Sequence, residues 1–253
     1  MSDQQNQHQD RDFIRRLPEW AKTFAVKYRS NTSSTFIFHG NIRDFLSQRT
    51  FDDEFKFVKI QDYFADILFG HKGRIICYDR SSGISFIENP YNKYPDETRN
   101  DFIQLMIDRD VTASNYKEKE KKLFNRSLTN SFELLESYFY KKLEQKERVV
   151  LIIDFAETII PFTSGTSASE DDRFALVTIK KWAYNPLFMN KDINIILLTE
   201  NLHEINQTIV KCPNILKVQI PIPNEDIRLN FIKYKQCQGM LRMENSLSAE
   251  TMA

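Results

Sequence analysis

Glycine, proline and cysteine are scarce in this chain, and neither sign of charge is in excess. The 253 residues include 6 Gly, 8 Pro and 3 Cys, while Lys+Arg and Asp+Glu each number 35. So little glycine and proline argues against a disordered or repeat-rich chain. The balanced charge makes nucleic-acid binding an unfavoured function, because such proteins usually carry a basic excess. A globular protein remains, and 20 Phe and 10 Tyr supply ample material for its core.

Long hydrophobic runs and paired cysteines are lacking as well. No apolar run approaches the roughly 20 residues that a membrane-spanning helix needs. The polar, Gln-rich start of the chain lacks the apolar core of a signal peptide. Cys77, Cys212 and Cys237 do not have zinc-ligand spacing, and their odd number favours reduced thiols in an intracellular protein. We therefore expect a soluble, cytoplasmic protein that has no membrane partner.

What is present is an alternation of short apolar runs with segments of helical spacing. The apolar runs, which predict strands, are 35–38, 74–79, 149–153, 193–198 and 216–220. The segments that predict helices are 13–28, 58–69, 101–108, 115–147, 173–182, 202–210 and 224–238. Such alternation predicts an α/β fold with three layers, in which helices cover both faces of a parallel sheet. We expect a disordered leader over 1–12, one α/β domain over 13–240 and the start of a further helix in 241–253.

The apolar run Val149–Ile153 leads directly into Asp154. A continuous apolar run that ends in an acid predicts a strand buried on both faces. Its aspartate then lies at the carboxyl edge of the sheet, where open α/β sheets bind ligands. This strand is the element around which the rest of the chain is arranged.

The segment from Val149 to Tyr234 resembles the core of an AAA+ ATPase. Val149–Asp154 looks like the Walker B strand, whose aspartate helps to hold Mg²⁺ on the phosphates. The strand end Thr199–Asn201 is similar to the family's sensor-1 position, and Pro221–Ile232 is similar to the Pro-x-x-x-x-Arg-x-x-Ile segment that leads to the helical lid. The resemblance implies the topology of a P-loop nucleoside triphosphatase, with a lid that is truncated or absent and begins in 241–253.

The resemblance also gives candidate site residues. Asp154 is the candidate catalytic residue and Mg²⁺ ligand, and Glu157 is the candidate catalytic base because Phe155 occupies the position that directly follows the aspartate. The candidates for nucleotide binding follow the first and fourth predicted strands: His39, Gly40, Asn41, Thr199 and Asn201.

Three functional parts of the family are absent or displaced. There is no Gly-x-x-x-x-Gly-Lys-Ser/Thr loop, whose backbone N–H groups would cradle phosphates. The sequence 39–45 stands in its place, and 79–85 is the only other candidate loop. Lys211 stands where the family's arginine finger belongs, and lysine does not replace arginine on phosphate. We therefore expect ATP hydrolysis to be very slow or absent, which makes ATP with Mg²⁺ a doubtful cofactor.

Three functions remain open from the sequence. The first is a non-catalytic AAA+-like module that supports assembly, or partner and substrate engagement, in a larger ATP-driven, chaperone-like remodelling machine; its partners would be proteins or further copies in a ring such as a hexamer. The second is an active ATP-binding ATPase with an unorthodox phosphate site. The third is an α/β protein-interaction adaptor without nucleotide. The sequence leaves open whether the chain is an enzyme.

Overall fold

The computed structural model describes residues 14–50, 52, 54–69, 73–87, 97–107, 123–124, 127–163, 168–190 and 193–240. The strands are β1 Thr35–Gly40, β2 Leu46–Arg49, β3 Phe55–Val58, β4 Gly73–Asp79, β5 Gly83–Phe86, β6 Arg148–Ile153, β7 Ile193–Thr199 and β8 Ile215–Ile220. The helices are α1 Glu19–Arg29, α2 Ile60–Tyr63 with a π-helical turn Phe64–Leu68, α3 Glu97–Met106, α4 Leu128–Gln145, α5 Ala156–Ile159, α6 Glu170–Tyr184, α7 Pro186–Asn190, α8 Gln207–Val210 and α9 Glu225–Cys237. A 3₁₀ turn, Leu202–Glu204, precedes α8.

The central sheet has six strands in the order β5-β4-β6-β7-β1-β8. Neighbouring strands are parallel except for β4 and β5, which pair antiparallel at one edge. Parallel neighbours need crossover connections, which the helices between the strands provide. The order brings β6, β7 and β1 side by side in the middle of the sheet, so the carboxyl ends of these strands share one edge.

Two apolar layers cover the sheet, one on each face. Along β6, Val149, Leu151 and Ile153 belong to the first layer, and Val150 and Ile152 belong to the second. Successive side chains of a strand point to opposite faces. β6 is therefore buried on both faces, as its apolar run predicts, and the expected three-layer α/β architecture is confirmed.

The helices bury the apolar residues that their spacing predicts. α1 begins directly after its N-cap, Pro18, and packs Trp20 and Phe24 into the second layer. α4 packs Phe132 and Phe139 into the first layer. α6 begins with a capping box in which Ser169 and Asp172 exchange hydrogen bonds, an arrangement that satisfies backbone N–H groups at the first turn.

The hairpin of β2 and β3 was not among the sequence predictions. It forms a separate antiparallel pair outside the central sheet, with Leu46 opposite Val58 and Arg49 opposite Phe55. The predicted helix 58–69 accordingly begins later, at Ile60, because Val58 belongs to β3.

The predicted long helix 115–147 is interrupted at Ser127, and its residues 115–122, 125 and 126 lie outside the described part. α4 begins at Leu128, where Ser127 has extended backbone angles as the N-cap, although Leu123 is buried against the same core. The predicted helix 202–210 divides into the 3₁₀ turn and α8. Residues 108–122 lie outside the described part, as do the predicted leader 1–12 and the predicted lid start 241–253. None of the helices in the described part is long and apolar enough to cross a membrane.

Candidate functional site

The carboxyl ends of β1, β6 and β7 bring most of the candidate residues to one edge of the sheet. His39 of β1 lies in register with Thr199 of β7, and Ile153 of β6 lies in register with Leu197 of the same strand. Asp154 and Glu200 directly follow their strands, and Gly40 ends β1. This is the edge at which open α/β sheets bind ligands.

The chain leaves β1 through a tight turn in which the backbone N–H groups of residues 40–42 already donate to backbone carbonyls. The Gly40 N–H donates to the Glu200 carbonyl at 3.1 Å, the Asn41 N–H to the Ile220 carbonyl at 3.0 Å and the Ile42 N–H to the Gly40 carbonyl at 2.8 Å. Gly40 has φ +94°, and a Cβ there would lie 2.5 Å from the Ile220 carbonyl oxygen. Only glycine fits this close passage, and the turn presents these N–H groups to carbonyls rather than to a ligand.

The second candidate loop, 79–85, is likewise a turn between paired strands. Asp79 and Gly83 face each other where β4 and β5 meet. The Asp79 carboxylate accepts hydrogen bonds from the Ser81 N–H at 2.8 Å and the Ser82 N–H at 2.7 Å. Such a side-chain bond to the backbone two or three residues on is typical of aspartate in turns.

Arg43 is the central charged residue of the edge, and the sequence did not identify it. Its Nη1 lies 2.7 Å from Asp154 Oδ1, and its Nε lies 3.3 Å from Glu200 Oε1. The guanidinium carbon is 3.9 Å from the centroid of the Phe155 ring, within the range of a cation–π contact. One guanidinium therefore joins the loop after β1 to the ends of β6 and β7.

Asp154 has its hydrogen-bonding capacity largely filled by the protein. Besides Arg43, its Oδ1 accepts from the Phe155 N–H at 2.8 Å, and its Oδ2 accepts from Gln61 Nε2 at 3.4 Å. Asp154 is 9% exposed. A buried carboxylate needs such partners, because burial of an unpaired charge is costly.

Phe155 and Glu157 lie beyond the end of β6. Phe155 has φ +50° and is 45% exposed, a strained left-handed conformation for a bulky side chain. Glu157 lies in the short helix α5, and its Oε2 is buried without a hydrogen-bond partner in the described part of the chain. The described contacts do not join Glu157 to the Asp154 group.

The other predicted residues take mostly structural positions. Thr199 is fully buried, and its Oγ1 lies 3.3 Å from the Asn201 carbonyl oxygen, to which it donates. The Asn201 side chain accepts from the His203 N–H at 3.1 Å and so caps the 3₁₀ turn.

His39 is half-buried, and burial lowers the pKa of its imidazole. In β4, burial, with smaller contributions from Asp154 and Asp79, raises the pKa of the Cys77 thiol to about 12.

Beside this edge lies an apolar groove of about 360 Å³. It separates the start of α1 from the loop after β1 and from the segment that follows β8; its lining includes Pro18, Trp20, Asn41, Phe45, Leu46 and Ile222. Within the described ranges, no group of three or more His, Cys, Asp or Glu side chains has the geometry to hold a metal ion.

Sequence reasoning missed Arg43, Gln61 and Glu200. The signal available for Arg43 was a basic residue three positions after the only glycine near the end of the first predicted strand. Its partner could not be found from spacing, because β7 lies between β1 and β6 in the sheet.

Comparison with known proteins places the fold in a family. The family model of the AAA+ chaperone N-terminal Rossmann-like domain matches residues 6–221. Among solved structures, a chain of the Escherichia coli MS115-1 HORMA:CdnC:Trip13 complex is similar at 12% identity and a TM-score of 0.46, over 92% of this chain and 64% of that chain. The present chain thus spans less than two thirds of that relative. No curated protein matches the sequence.

Proposed function

Because the chain belongs to the family of AAA+ chaperone N-terminal Rossmann-like domains, we propose that it is a non-catalytic module of a larger ATP-driven remodelling machine. In this proposal the module supports assembly or engages protein partners, and it leaves nucleotide hydrolysis to another module. The carboxyl edge is then a closed remnant of a phosphate site.

The observation that carries the proposal is the ion pair between Arg43 and Asp154. An Mg²⁺-binding aspartate must offer its oxygens to the metal, which takes near-ideal octahedral oxygen coordination. Here the permanently charged guanidinium of Arg43 lies 2.7 Å from Asp154 Oδ1, where it repels a second cation. These residues do not fit a magnesium–nucleotide site.

The backbone of the edge supports the same proposal. A phosphate loop works because successive N–H groups are free to donate to the phosphates. In the turn after β1, the N–H groups of Gly40, Asn41 and Ile42 all donate to carbonyls of the protein. The loop therefore offers a phosphate neither a lysine nor the ring of N–H donors that stabilises its charge.

Exposed apolar side chains support a role in protein docking. Ile222, which follows β8, is 80% exposed, and Phe155 projects from the carboxyl edge at 45% exposure. Ile222 helps to line the apolar groove, and Phe155 lies against the Arg43 guanidinium at the end of β6. The docking surface in this proposal is Ile222 with the groove beside it, because exposed apolar patches mark protein interaction sites.

A nucleotide titration tests the proposal. The full chain is titrated with a fluorescent ATP analogue and Mg²⁺, alongside Asp154→Ala and Arg43→Ala. We expect no saturable binding tighter than about 1 mM, corresponding to a binding free energy weaker than about −4 kcal/mol, in any of the three proteins. Micromolar binding that disappears in Asp154→Ala would overturn the proposal and favour an ATPase with an unorthodox phosphate site.

Light scattering after size-exclusion chromatography separates assembly from an adaptor role. Self-association that depends on concentration supports a module that assembles with its own kind. A strict monomer that is unaffected by nucleotide contradicts the assembly part of the proposal and favours the adaptor without nucleotide.

A further inference from the structure

Helix α9 has a narrow attachment to the rest of the molecule. None of its 13 residues is fully buried. Its main contacts are aromatic: the Phe231 ring lies 5.1 Å from Phe57 and 5.4 Å from Phe45, and the Tyr234 ring lies 5.4 Å from Phe57. Phe57 belongs to β3, and Phe45 ends the loop that follows β1, so the helix is held by the hairpin and by this loop.

The same loop, residues 41–45, holds the Arg43 guanidinium at the carboxyl edge. Arg43, in the middle of the loop, pairs with Asp154 and Glu200. Two residues later, Phe45 contacts α9. The three-residue segment 43–45 thus has one end in the ion-pair group and the other end in the aromatic attachment of the helix.

Two lysines lie against the Phe45 ring, and Lys59 also joins this ring to the Arg43 backbone. Lys59 Nζ donates to the Arg43 carbonyl at 2.7 Å and lies 4.2 Å from the centroid of the Phe45 ring. Lys235 of α9 places its Nζ 4.8 Å from the centroid of the same ring. The Phe45 ring therefore lies against one cation that also binds the Arg43 backbone and another that belongs to α9. A shift of Arg43 moves groups that touch the helix.

We infer that loop 41–45 is a coupling element that transmits the state of the Arg43 ion pairs to helix α9. With Arg43 held by Asp154 and Glu200, the loop holds Phe45 against Phe231 and the helix stays docked. When an acidic group of a partner draws Arg43 away, Phe45 loses its position and α9 loosens. Arg43 acts here as a positioning residue, and the inference is independent of whether nucleotide binds.

Hydrogen exchange of the full chain tests this inference. Arg43→Ala removes the ion pairs from the loop side, and Asp154→Asn weakens them from a residue that does not contact α9. In both variants we expect the amides of α9 to exchange about fivefold faster or more, the range of an energetic coupling between sites. Arg80→Ala is the matched control, because Arg80 pairs with Asp172 at 3.2 Å on the same sheet edge but belongs to the turn between β4 and β5.

The outcomes separate coupling from general destabilisation. Faster exchange in α9 for Arg43→Ala and Asp154→Asn, with no change for Arg80→Ala, supports the coupling. Unchanged exchange in α9 for Arg43→Ala overturns it, and so does an equal increase in all three variants. Phe45→Leu adds a test of the route: combined with Arg43→Ala, it should give less than the product of the two separate effects, because both act through one contact. If the effects of Phe45→Leu and Arg43→Ala on the exchange rate of α9 simply multiply in the double variant, the coupling does not pass through the Phe45 contact.

Discussion

The two ends of the central sheet carry two charge networks that differ in burial. At the amino end, Lys142 of α4 has a fully buried side chain, and its Nζ lies 2.8 Å from Asp101 and 3.0 Å from Glu147. At the carboxyl end, the Arg43 side chain is 33% exposed. Both networks join elements that are distant in sequence, but only the first is centred on a fully buried cation.

Several groups besides Lys142, Asp101 and Glu147 take part in the network at the amino end. Tyr138 donates to Asp101 at 2.6 Å, and burial, followed by this hydrogen bond, raises the pKa of the Tyr138 hydroxyl. Arg74 pairs with Glu147 at 3.3 Å and with Glu97 at 3.2 Å. A buried charge with so many partners holds α3 and α4 against the sheet. It cannot exchange partners without leaving a charge unpaired, whereas the partly exposed Arg43 can. This difference places the exchangeable contacts at the carboxyl end.

Substitution of Lys142 should give the largest effect. Lys142→Ala leaves Asp101 and Glu147 without their buried cation, and we expect the free energy of unfolding to fall by about 3–5 kcal/mol. The matched variant at the other end, Arg43→Ala, should cost less, about 2 kcal/mol, because the Arg43 side chain is 33% exposed and water can enter its place to hydrate the Asp154 carboxylate. Urea denaturation of both variants measures the difference.

An equal loss in the free energy of unfolding for Lys142→Ala and Arg43→Ala would contradict this difference between the two ends of the sheet. A larger loss for Arg43→Ala would show that the carboxyl-end pairs stabilise the fold rather than hold an exchangeable contact. Lys181→Ala serves as a reference for an exposed pair, since Lys181 lies 3.6 Å from Glu136 with a side chain that is 62% exposed.

Substitution of Gly40 should give the next largest effect, because the backbone of the carboxyl end, rather than its charges, fixes the structure there. The added Cβ would lie 2.5 Å from the Ile220 carbonyl oxygen, at φ +94°. We expect Gly40→Ala to destabilise by about 3 kcal/mol, from backbone strain and overpacking together. Gly239→Ala is the control: its φ is +69°, and nothing lies within 4 Å of the added Cβ, so strain alone should cost about 1 kcal/mol. Equal midpoints of urea unfolding for the two variants would refute the steric part of this argument.

Much of the fold could be predicted because buried parallel strands carry continuous apolar runs. β6 and β7 are of this kind, and both were located within a residue or two. The β2–β3 hairpin was not predicted, because Leu46–Arg49 is largely polar and pairs outside the main sheet. The interruption of the predicted helix 115–147 at Ser127 was not predicted, since the charged helical pattern continues through this residue and its role as N-cap depends on its backbone angles.

Less of the candidate site could be predicted, for a physical reason. Asp154 was placed correctly at the strand end, since the position follows from local pattern alone. Its partner Arg43 is 111 residues earlier, and their contact depends on the strand order that places β7 between β1 and β6. The use of the Gly40 and Asn41 N–H groups by carbonyls depends on the same packing. Long-range pairings of this sort leave no periodic signal in a single sequence.

The smallest expected effect concerns His39, the last residue but one of β1, which lies in register with Thr199. Burial lowers the pKa of its imidazole below the ordinary value near 6.5. The unfolded chain therefore binds a proton at this residue before the folded chain does, and stability falls as pH drops through about 6.5 toward the folded pKa. His39→Gln removes this contribution while all other titrating groups stay the same. The free energy of unfolding, measured in urea at pH 7.5 and 5.5, should fall less on acidification in His39→Gln than in the unmodified chain. An equal fall in both would mean that the imidazole is hydrated in the folded state, and the carboxyl end would then be open to water along β1 as well as at Arg43.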